Sequence, residues 1–110
     1  MTRLCLMTCP NPETAQNIAR QLLERRLVAC VNLVPQVTSM YWWEGKIQED
    51  SEVLLVAKTG RERVDELTAV LPTLHPYQVP ELVVLSVEGG LPAYLNWILE
   101  SVGLSSPEAG

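Results

Sequence analysis

Residues 28–58 read VACVNLVPQVTSMYWWEGKIQEDSEVLLVAK, and this stretch decides the fold. Its first part, residues 28–43, has no helical periodicity and no glycine and is rich in β-branched and aromatic residues, so it predicts one long strand. Pro35 has no amide hydrogen to donate within a sheet and therefore marks a bulge or an unpaired edge position. The EGK tripeptide at 44–46 indicates a tight turn. Residues 47–58 then return as the partner strand of a β-hairpin.

The segment before the hairpin predicts a strand followed by a helix. Residues 3–9 form a short run with strand alternation. Asn11 can accept a hydrogen bond from a free amide at a helix start, and Pro12 suits the first helical position because the amide there has no partner within the helix. The helix is expected to reach about residue 26. Its buried stripe recurs at helical spacing and consists of Ala15, Ile18, Ala19, Leu22 and Leu23.

The segment after the hairpin predicts a helix, a strand and a final helix. Thr59 and Glu62 match a capping box, which places the start of the helix at Thr59 and its end near residue 74. Residues 82–87 have the composition of a strand, and Pro92 opens the last helix. The order β-α-β-β-α-β plus a C-terminal helix is that of an α+β, ferredoxin-like fold. Right-handed crossovers place strands one and three in the middle of the sheet and strands two and four at its edges.

Length and composition restrict the organisation and the partners of the chain. With 110 residues, a single domain over 1–104 is expected, followed by a disordered tail at 105–110. The net charge of -5 and the lack of a basic cluster exclude nucleic acid as a binding partner, because phosphate binding needs a positive surface.

No apolar run reaches the ~20 residues of a membrane-spanning helix. Three cysteines without Cys-x-x-Cys spacing predict neither a disulfide framework nor a structural zinc site and favour a cytoplasmic location.

The predicted hairpin is longer than the sheet that carries it. At about 3.3 Å per residue, residues 28–43 span roughly 50 Å, whereas residues 3–9 span only about 20 Å. The part of the hairpin beyond Pro35, residues 36–52, is called the arm below. Its large apolar side chains are Val37, Met40, Tyr41, Trp42, Trp43 and Ile47. Because a two-stranded ribbon is marginally stable in water, either the arm bends back over its own sheet or a second copy covers it. We expect a homo-oligomer closed by the arm.

The strand directions gather the candidate functional side chains at one end of the predicted sheet. Strands one and two run one way and strands three and four the other, so the end of strand one, the start of helix one and the loop before strand four lie together. The arm projects from the same end. The side chains placed there are Cys9, Asn11, Tyr41, Trp43, Lys46, His75, Tyr77 and Glu81. A functional site is expected at this end.

Several short motifs that include these residues give the sequence a resemblance to the CutA family of divalent-cation tolerance proteins. In chain order they are TCP at 8–10, ACVN at 29–32, SMYWWEGK at 39–46, LVAKT at 55–59 and HPYQVPEL at 75–82. The match extends over about Leu4 to Leu99. The resemblance implies a ferredoxin-like protomer in a cytoplasmic homotrimer whose architecture is similar to that of PII signalling proteins. It also implies tolerance to copper and other divalent metals, copper binding, and no established enzymatic reaction.

The resemblance further implies candidate metal ligands. The family's candidate ligands correspond to Cys9, Cys30 and His75 in this sequence. Some relatives have a further cysteine in the second helix, and this chain has Val70 at that position. Strand geometry separates Cys9 from Cys30 by on the order of 15–20 Å within one chain, much more than two metal–sulfur bonds of about 2.3 Å. Thiols from different protomers can hold Cu(I), or His75 with carboxylates can hold Cu(II). Alternatively, the cysteines are small buried apolar groups, and His75 caps a helix or forms a loop hydrogen bond.

The remaining candidates belong to a cleft or an interface. They are Tyr41, Trp42, Trp43, Lys46, Lys58, Tyr77 and Glu81. The aromatic side chains of the arm are typical of an interface core and less often of a ligand cage. The two lysines with Glu81 either orient a small anion at the start of helix one or form ion pairs at an interface.

The resemblance implies a trimeric, cytoplasmic protein of metal tolerance that binds copper or another divalent metal ion, and the overhanging hairpin independently predicts a homo-oligomer. The alternative is a PII-like signalling or structural trimer that binds a small anion or a protein between subunits. An enzyme is not expected, because no catalytic motif is present and any catalytic triad would have to use the single histidine.

Overall fold

Four strands form one antiparallel sheet in the computed structural model, which describes residues 1–105. The strands are β1 (Thr2–Cys9), β2 (Cys30–Trp43), β3 (Lys46–Gly60) and β4 (Val83–Ser86). The helices are α1 (Pro12–Glu24), α2 (Val64–Leu74) and α3 (Pro92–Ser101), with a short 3-10 turn at Arg61–Arg63 before α2. The order β2-β3-β1-β4 confirms the predicted ferredoxin-like plan with β1 and β3 in the centre. Of the predicted tail at 105–110, residues 106–110 lie outside the described residues.

Helix α1 begins and ends through local hydrogen bonds. The Asn11 side-chain oxygen accepts from the amide of Thr14 at 2.8 Å, and Pro12 is the first helical residue, as predicted. At the other end, Arg26 adopts a φ of 57°, and the amide of Leu27 donates to the carbonyl five residues back. This Schellman arrangement satisfies free carbonyls and ends the helix slightly earlier than predicted.

The predicted capping box at Thr59 does not form. Thr59 belongs to β3, and its buried hydroxyl donates to the carbonyl of Leu27 at 2.7 Å. β1 pairs with β3 as far as Gly60, which lies opposite Thr2, so the strand ladder holds Thr59 in an extended conformation. The prediction was wrong because long-range pairing outweighs a local cap. α2 therefore starts at Val64, after the 3-10 turn.

The core lies between one face of the sheet and helices α1 and α2. Its strand residues alternate along β1 and β3 and are Cys5, Met7, Cys9, Val53, Leu55 and Ala57. Because strand side chains alternate in direction, Thr8 and Glu52 belong to the other face of the sheet. Helix α3 reaches that other face at the opposite end of the sheet, where the Tyr94 hydroxyl lies 3.6 Å from Sγ of Cys30.

The hairpin overhangs the sheet, as predicted. β1 pairs with β3 only as far as Val53, so the arm is a ribbon of two strands without a third beside it. The molecule measures 50 × 25 × 22 Å along its principal axes. Trp42 is 72% exposed and Trp43 39% exposed. The arm therefore does not bend back over its own sheet to bury its aromatic side chains.

The bulge and the turn of the hairpin follow from its sequence. The register between β2 and β3 shifts between Val34 and Val37, which confirms the bulge predicted from Pro35. At the tip, Glu44 and Gly45 have φ values of 51° and 77°. Two consecutive turn residues with positive φ form a type I′ turn, whose twist matches that of the two strands.

Candidate functional site

The predicted site residues fall into one buried pair, one groove and three separate positions. Cys9 and His75 form the buried pair. The groove, between the arm and the loop after α2, includes Tyr41, Trp42, Trp43, Tyr77 and Glu81 in its lining. Cys30, Lys46 and Lys58 belong to neither.

His75 joins the end of β1 to the loop that follows α2. It is the residue directly after α2, where Pro76 disfavours a further helical residue. Its Nε2 lies 2.7 Å from the carbonyl oxygen of Thr8, and because a carbonyl only accepts, Nε2 carries the ring proton. Its Nδ1 accepts from the amide of Tyr77 at 3.1 Å. Both ring nitrogens are therefore used within the protein, as in the loop hydrogen bond considered above as an alternative to a ligand role.

Cys9 is the second member of the buried pair. Its Sγ lies 3.8 Å from Nε2 of His75. Burial raises the pKa of the Cys9 thiol to about 11, and the negative charge of Glu52 adds to this effect. A metal ion needs a thiolate and a free nitrogen lone pair, so metal binding here would release the thiol proton and replace a hydrogen bond of His75. Residues 1–105 contain no group of three or more His, Cys, Asp and Glu side chains that could hold a metal ion.

Cys30 lies far from the buried pair. Cys9 is opposite Val53 on β3, whereas Cys30 is opposite Lys58. Five residues along the strand and two strand spacings across the sheet separate the two cysteines by roughly 19 Å. One chain therefore does not bring the three predicted ligands together, as expected from strand geometry.

The two candidate lysines do not line the groove. Lys58 lies near the far end of β3, where its Nζ donates to the side-chain oxygen of Asn32. Lys46 is exposed at the tip of the arm. Glu81 lines the groove without either of them, so one chain does not form the anion-binding arrangement considered for these three residues.

The groove has a volume of about 750 Å³ and combines aromatic with acidic side chains. β2 contributes residues 38–43, and the loop after α2 contributes residues 77–79 and Glu81. β1 contributes Thr8 and β3 contributes Glu52. The groove follows from the overhang of the arm. β1 ends where the arm begins, so no strand lies beside this part of β3, and the loop after α2 borders the space that is left.

Two tyrosine hydroxyls at the groove are held by carboxylates. The Tyr77 hydroxyl donates to Oε2 of Glu52 at 2.7 Å, and the Tyr41 hydroxyl donates to Asp50. Burial and the bond to Glu52 raise the pKa of Tyr77, and the bond to Asp50 raises the pKa of Tyr41. Both hydroxyls therefore stay protonated at neutral pH and can donate these hydrogen bonds.

Glu52 is a functional candidate that the sequence analysis missed. It is only 7% exposed, and in the described part of the chain no lysine or arginine pairs with it. Burial, and then the charge of Glu52, raise the pKa of Glu81. Within the polar run QEDSE at 48–52, Glu52 resembles a solvent-exposed strand residue. The sequence feature that could have identified Glu52 is the bulge predicted from Pro35. In the structure, Glu52 pairs with Val37 next to this bulge and lies beyond the end of β1.

Comparison with known proteins relates the chain to a family. The family model for the CutA1 divalent ion tolerance protein matches residues 3–101. The chain is 45% identical over 103 residues to the divalent-cation tolerance protein CutA of Thermus thermophilus, covering 94% of the chain and 100% of that protein. It is 53% identical over 92 residues to protein CutA of Mus musculus, covering 84% of the chain and 52% of that protein. The chain spans about half the length of the mammalian relatives it matches.

Solved structures of similar proteins share the fold. A divalent cation tolerance protein from Thermus thermophilus superimposes with a TM-score of 0.91 at 45% identity, covering 94% of this chain and 100% of that one. CutA1 from Oryza sativa gives a TM-score of 0.88 at 41% identity, with coverages of 91% and 92%. A protein from Archaeoglobus fulgidus, described as the periplasmic divalent cation tolerance protein CutA, gives 0.89 at 38% identity, with coverages of 93% and 99%. The chain therefore belongs to the CutA1 divalent ion tolerance protein family.

Proposed function

We propose that this chain contributes to divalent metal tolerance by binding a metal ion, with copper as the best chemical match. The supporting observation is the buried pair of Cys9 and His75, whose Sγ and Nε2 are 3.8 Å apart. Typical zinc–sulfur and zinc–nitrogen bonds of about 2.3 and 2.0–2.1 Å sum to more than this separation, so both atoms can contact one ion of similar size. Thiolate and imidazole ligands suit copper and do not suit hard cations such as magnesium.

The pair supplies two ligands, and both must change their present interactions to bind an ion. Cys9 must lose its proton, and His75 must exchange a hydrogen bond for a metal bond, so the affinity should increase with pH. Further ligands would come from other copies of the chain. Cys30, a free and half-buried thiol, is the candidate for that role.

We infer a homotrimer in which each arm contacts neighbouring copies. The overhang of the arm and the exposure of Trp42 support the assembly of several copies. The resemblance to a family of PII-like trimers supports an assembly of three copies. A cytoplasmic location belongs to the same proposal and is supported by the three free thiols, which suit a reducing compartment. Among the described residues, no helix is long and apolar enough to span a membrane.

The test is a competition titration of metal-free protein with Cu(I), Cu(II) and Zn(II) against a chelator of known affinity. Cys9→Ser and His75→Ala are expected to weaken copper binding at least about tenfold each, since each removes one ligand. Cys5→Ser is the matched control, because Cys5 is buried on the same face of β1 but lies away from His75. Cys30→Ser distinguishes a site shared between subunits from one within a subunit. If the wild type and all variants bind the metal ions equally weakly, the proposal of metal binding is wrong.

The alternative function, binding of a small anion in the clefts of a PII-like trimer, has less support. The groove of a single chain contains the carboxylates of Glu52 and Glu81 and is lined by no lysine or arginine of the described residues. A surface of this charge repels anions. We therefore retain metal binding as the proposed function and assign no reaction to the chain.

A further inference from the structure

A second concave surface lies on the helix side of the sheet. This surface, called the cleft below, runs between the start of α1 and the end of α2 and is lined by residues 73–76 and by side chains between Asn11 and Arg20. Its volume is about 760 Å³. None of its lining residues belongs to the arm, so the cleft is separate from the surface that we assign to contacts between copies.

His75 is the residue at which the cleft meets the buried pair. It lines the cleft and is only 7% exposed. Sγ of Cys9 lies 3.8 Å from its Nε2, and Cys9 is fully buried and does not line the cleft. An ion that enters the cleft therefore reaches His75 before it reaches Cys9.

The sheet itself obstructs an approach to the pair from the opposite face. Cys9 belongs to the core on the helix side, and β1 pairs with β3 from Cys9 and Val53 onward, so hydrogen-bonded backbone separates its thiol from that face. The groove on that face is lined by arm residues, which contact neighbouring copies in the proposed homotrimer. An ion that comes from the helix side passes side chains only, whereas one from the other face must cross the strands.

The charges along the cleft influence the entry of a cation. Arg20 and Glu13 both line it, and both are exposed. The free amides at the start of α1 add partial positive charge. A metal ion is therefore repelled by Arg20 and by the helix start and attracted by Glu13. The charge at position 20 should set part of the rate at which the ion enters.

We propose that the metal ion reaches the Cys9–His75 pair through this cleft and that Arg20 slows its entry. This inference rests on the proposed metal function, because it assigns the route to that site. It also separates rate from affinity. A side chain that fills the cleft raises the barrier to entry and the barrier to release equally, so the equilibrium affinity stays the same.

The route is tested by stopped-flow absorption of the copper–thiolate bond, with Cu(I) kept in solution by acetonitrile and the protein in its native assembly. Asn17→Trp places a large side chain in the cleft and is expected to slow association and dissociation at least about tenfold each. Leu23→Trp is the matched control, because Leu23 is also exposed on α1 and does not line the cleft. If Asn17→Trp does not fold, Gln16→Trp replaces it, since Gln16 is exposed and lines the same cleft.

Arg20→Gln tests the effect of charge. It is expected to speed association about twofold at low ionic strength and by less at high salt. Arg25→Gln removes the same charge at the other end of α1, does not line the cleft and should leave the rate unchanged.

The outcomes separate the route from the metal function. Equal association rates in Asn17→Trp and Leu23→Trp overturn the route, and equal rates in Arg20→Gln and Arg25→Gln overturn the role of Arg20. The proposed metal function survives both results. A wild type that binds no copper overturns that function together with the route.

Discussion

At the scale of single residues, His75 makes the connections that hold the candidate site together. His75→Ala leaves the carbonyl of Thr8 and the amide of Tyr77 without their partners in a buried position. We expect a loss of about 1–3 kcal/mol in the free energy of unfolding, measured by urea denaturation at fixed protein concentration. His75→Asn should lose less, because asparagine can accept from the amide two residues on. An unchanged transition in His75→Ala would contradict this role.

The three cysteines should differ in reactivity. Burial raises the pKa of both Cys5 and Cys9 to about 11, and both side chains are fully buried, whereas Cys30 is half-buried. Since the thiolate is the reactive form, iodoacetamide at pH 8 should label Cys30 first and the other two only after unfolding. Mass spectrometry of peptides from the native protein measures the order. Labelling of Cys9 ahead of Cys30 would show that the end of β1 is open.

The same two buried thiols predict a loss of stability at alkaline pH. Their pKa is raised from 9.0 to about 11 in the folded chain, so unfolding lets each thiol ionise more easily. Their contribution to stability is complete below pH 9.0 and decreases as the pH rises toward about 11. Urea denaturation between these values should show the decrease. The double variant Cys5→Ala and Cys9→Ala should show a smaller slope, and Cys30→Ser the original slope; identical slopes in all three would refute the explanation.

At the scale of elements, the turn of the arm sets the twist of the whole hairpin. Gly45 has a φ of 77°, and a methyl group built at its Cα would meet no atom within 4 Å. Gly45→Ala therefore acts only through the backbone and should lower the free energy of unfolding by about 1 kcal/mol. Gly89→Ala is the matched control, because its surroundings are equally open and its φ is not in the left-handed region. Equal effects of the two substitutions would contradict the strain argument.

Comparison of the predicted with the observed strands and helices shows which features can be predicted from sequence. Local signals were sufficient for the cap at Asn11 and the bulge at Pro35, because both depend on a few neighbouring residues. Thr59 was misassigned, because its conformation depends on pairing with a strand that is distant in sequence. Glu52 was missed for a related reason, since its burial depends on where β1 ends. The proximity of Cys9 and His75 was only partly predictable, because strand directions give the shared end of the sheet but no distances.

At the scale of the whole molecule, the overhang of the arm leaves apolar surface that a single chain does not cover. Trp42 is 72% exposed, and Met40 and Ile47 are 67% and 63% exposed. An exposed two-stranded ribbon with this surface is unstable in water and prone to association, so its burial between copies should be a main source of assembly energy. If the proposed homotrimer forms, the wild type sediments at three times the chain mass of 12.2 kDa.

Substitution in the arm should weaken this assembly selectively. Truncating a tryptophan at the centre of an interface typically costs about 2 kcal/mol or more, so Trp42→Ala and Trp43→Ala should each raise the dissociation concentration by at least about tenfold. Leu23→Ala is the matched control. Leu23 was predicted to be buried on the first helix, but it is 39% exposed, as Trp43 is, and it lies on α1, away from the arm. Sedimentation velocity over a dilution series measures all three variants. A wild type that sediments as a single chain would refute the inference, and so would arm variants that dissociate no more readily than Leu23→Ala.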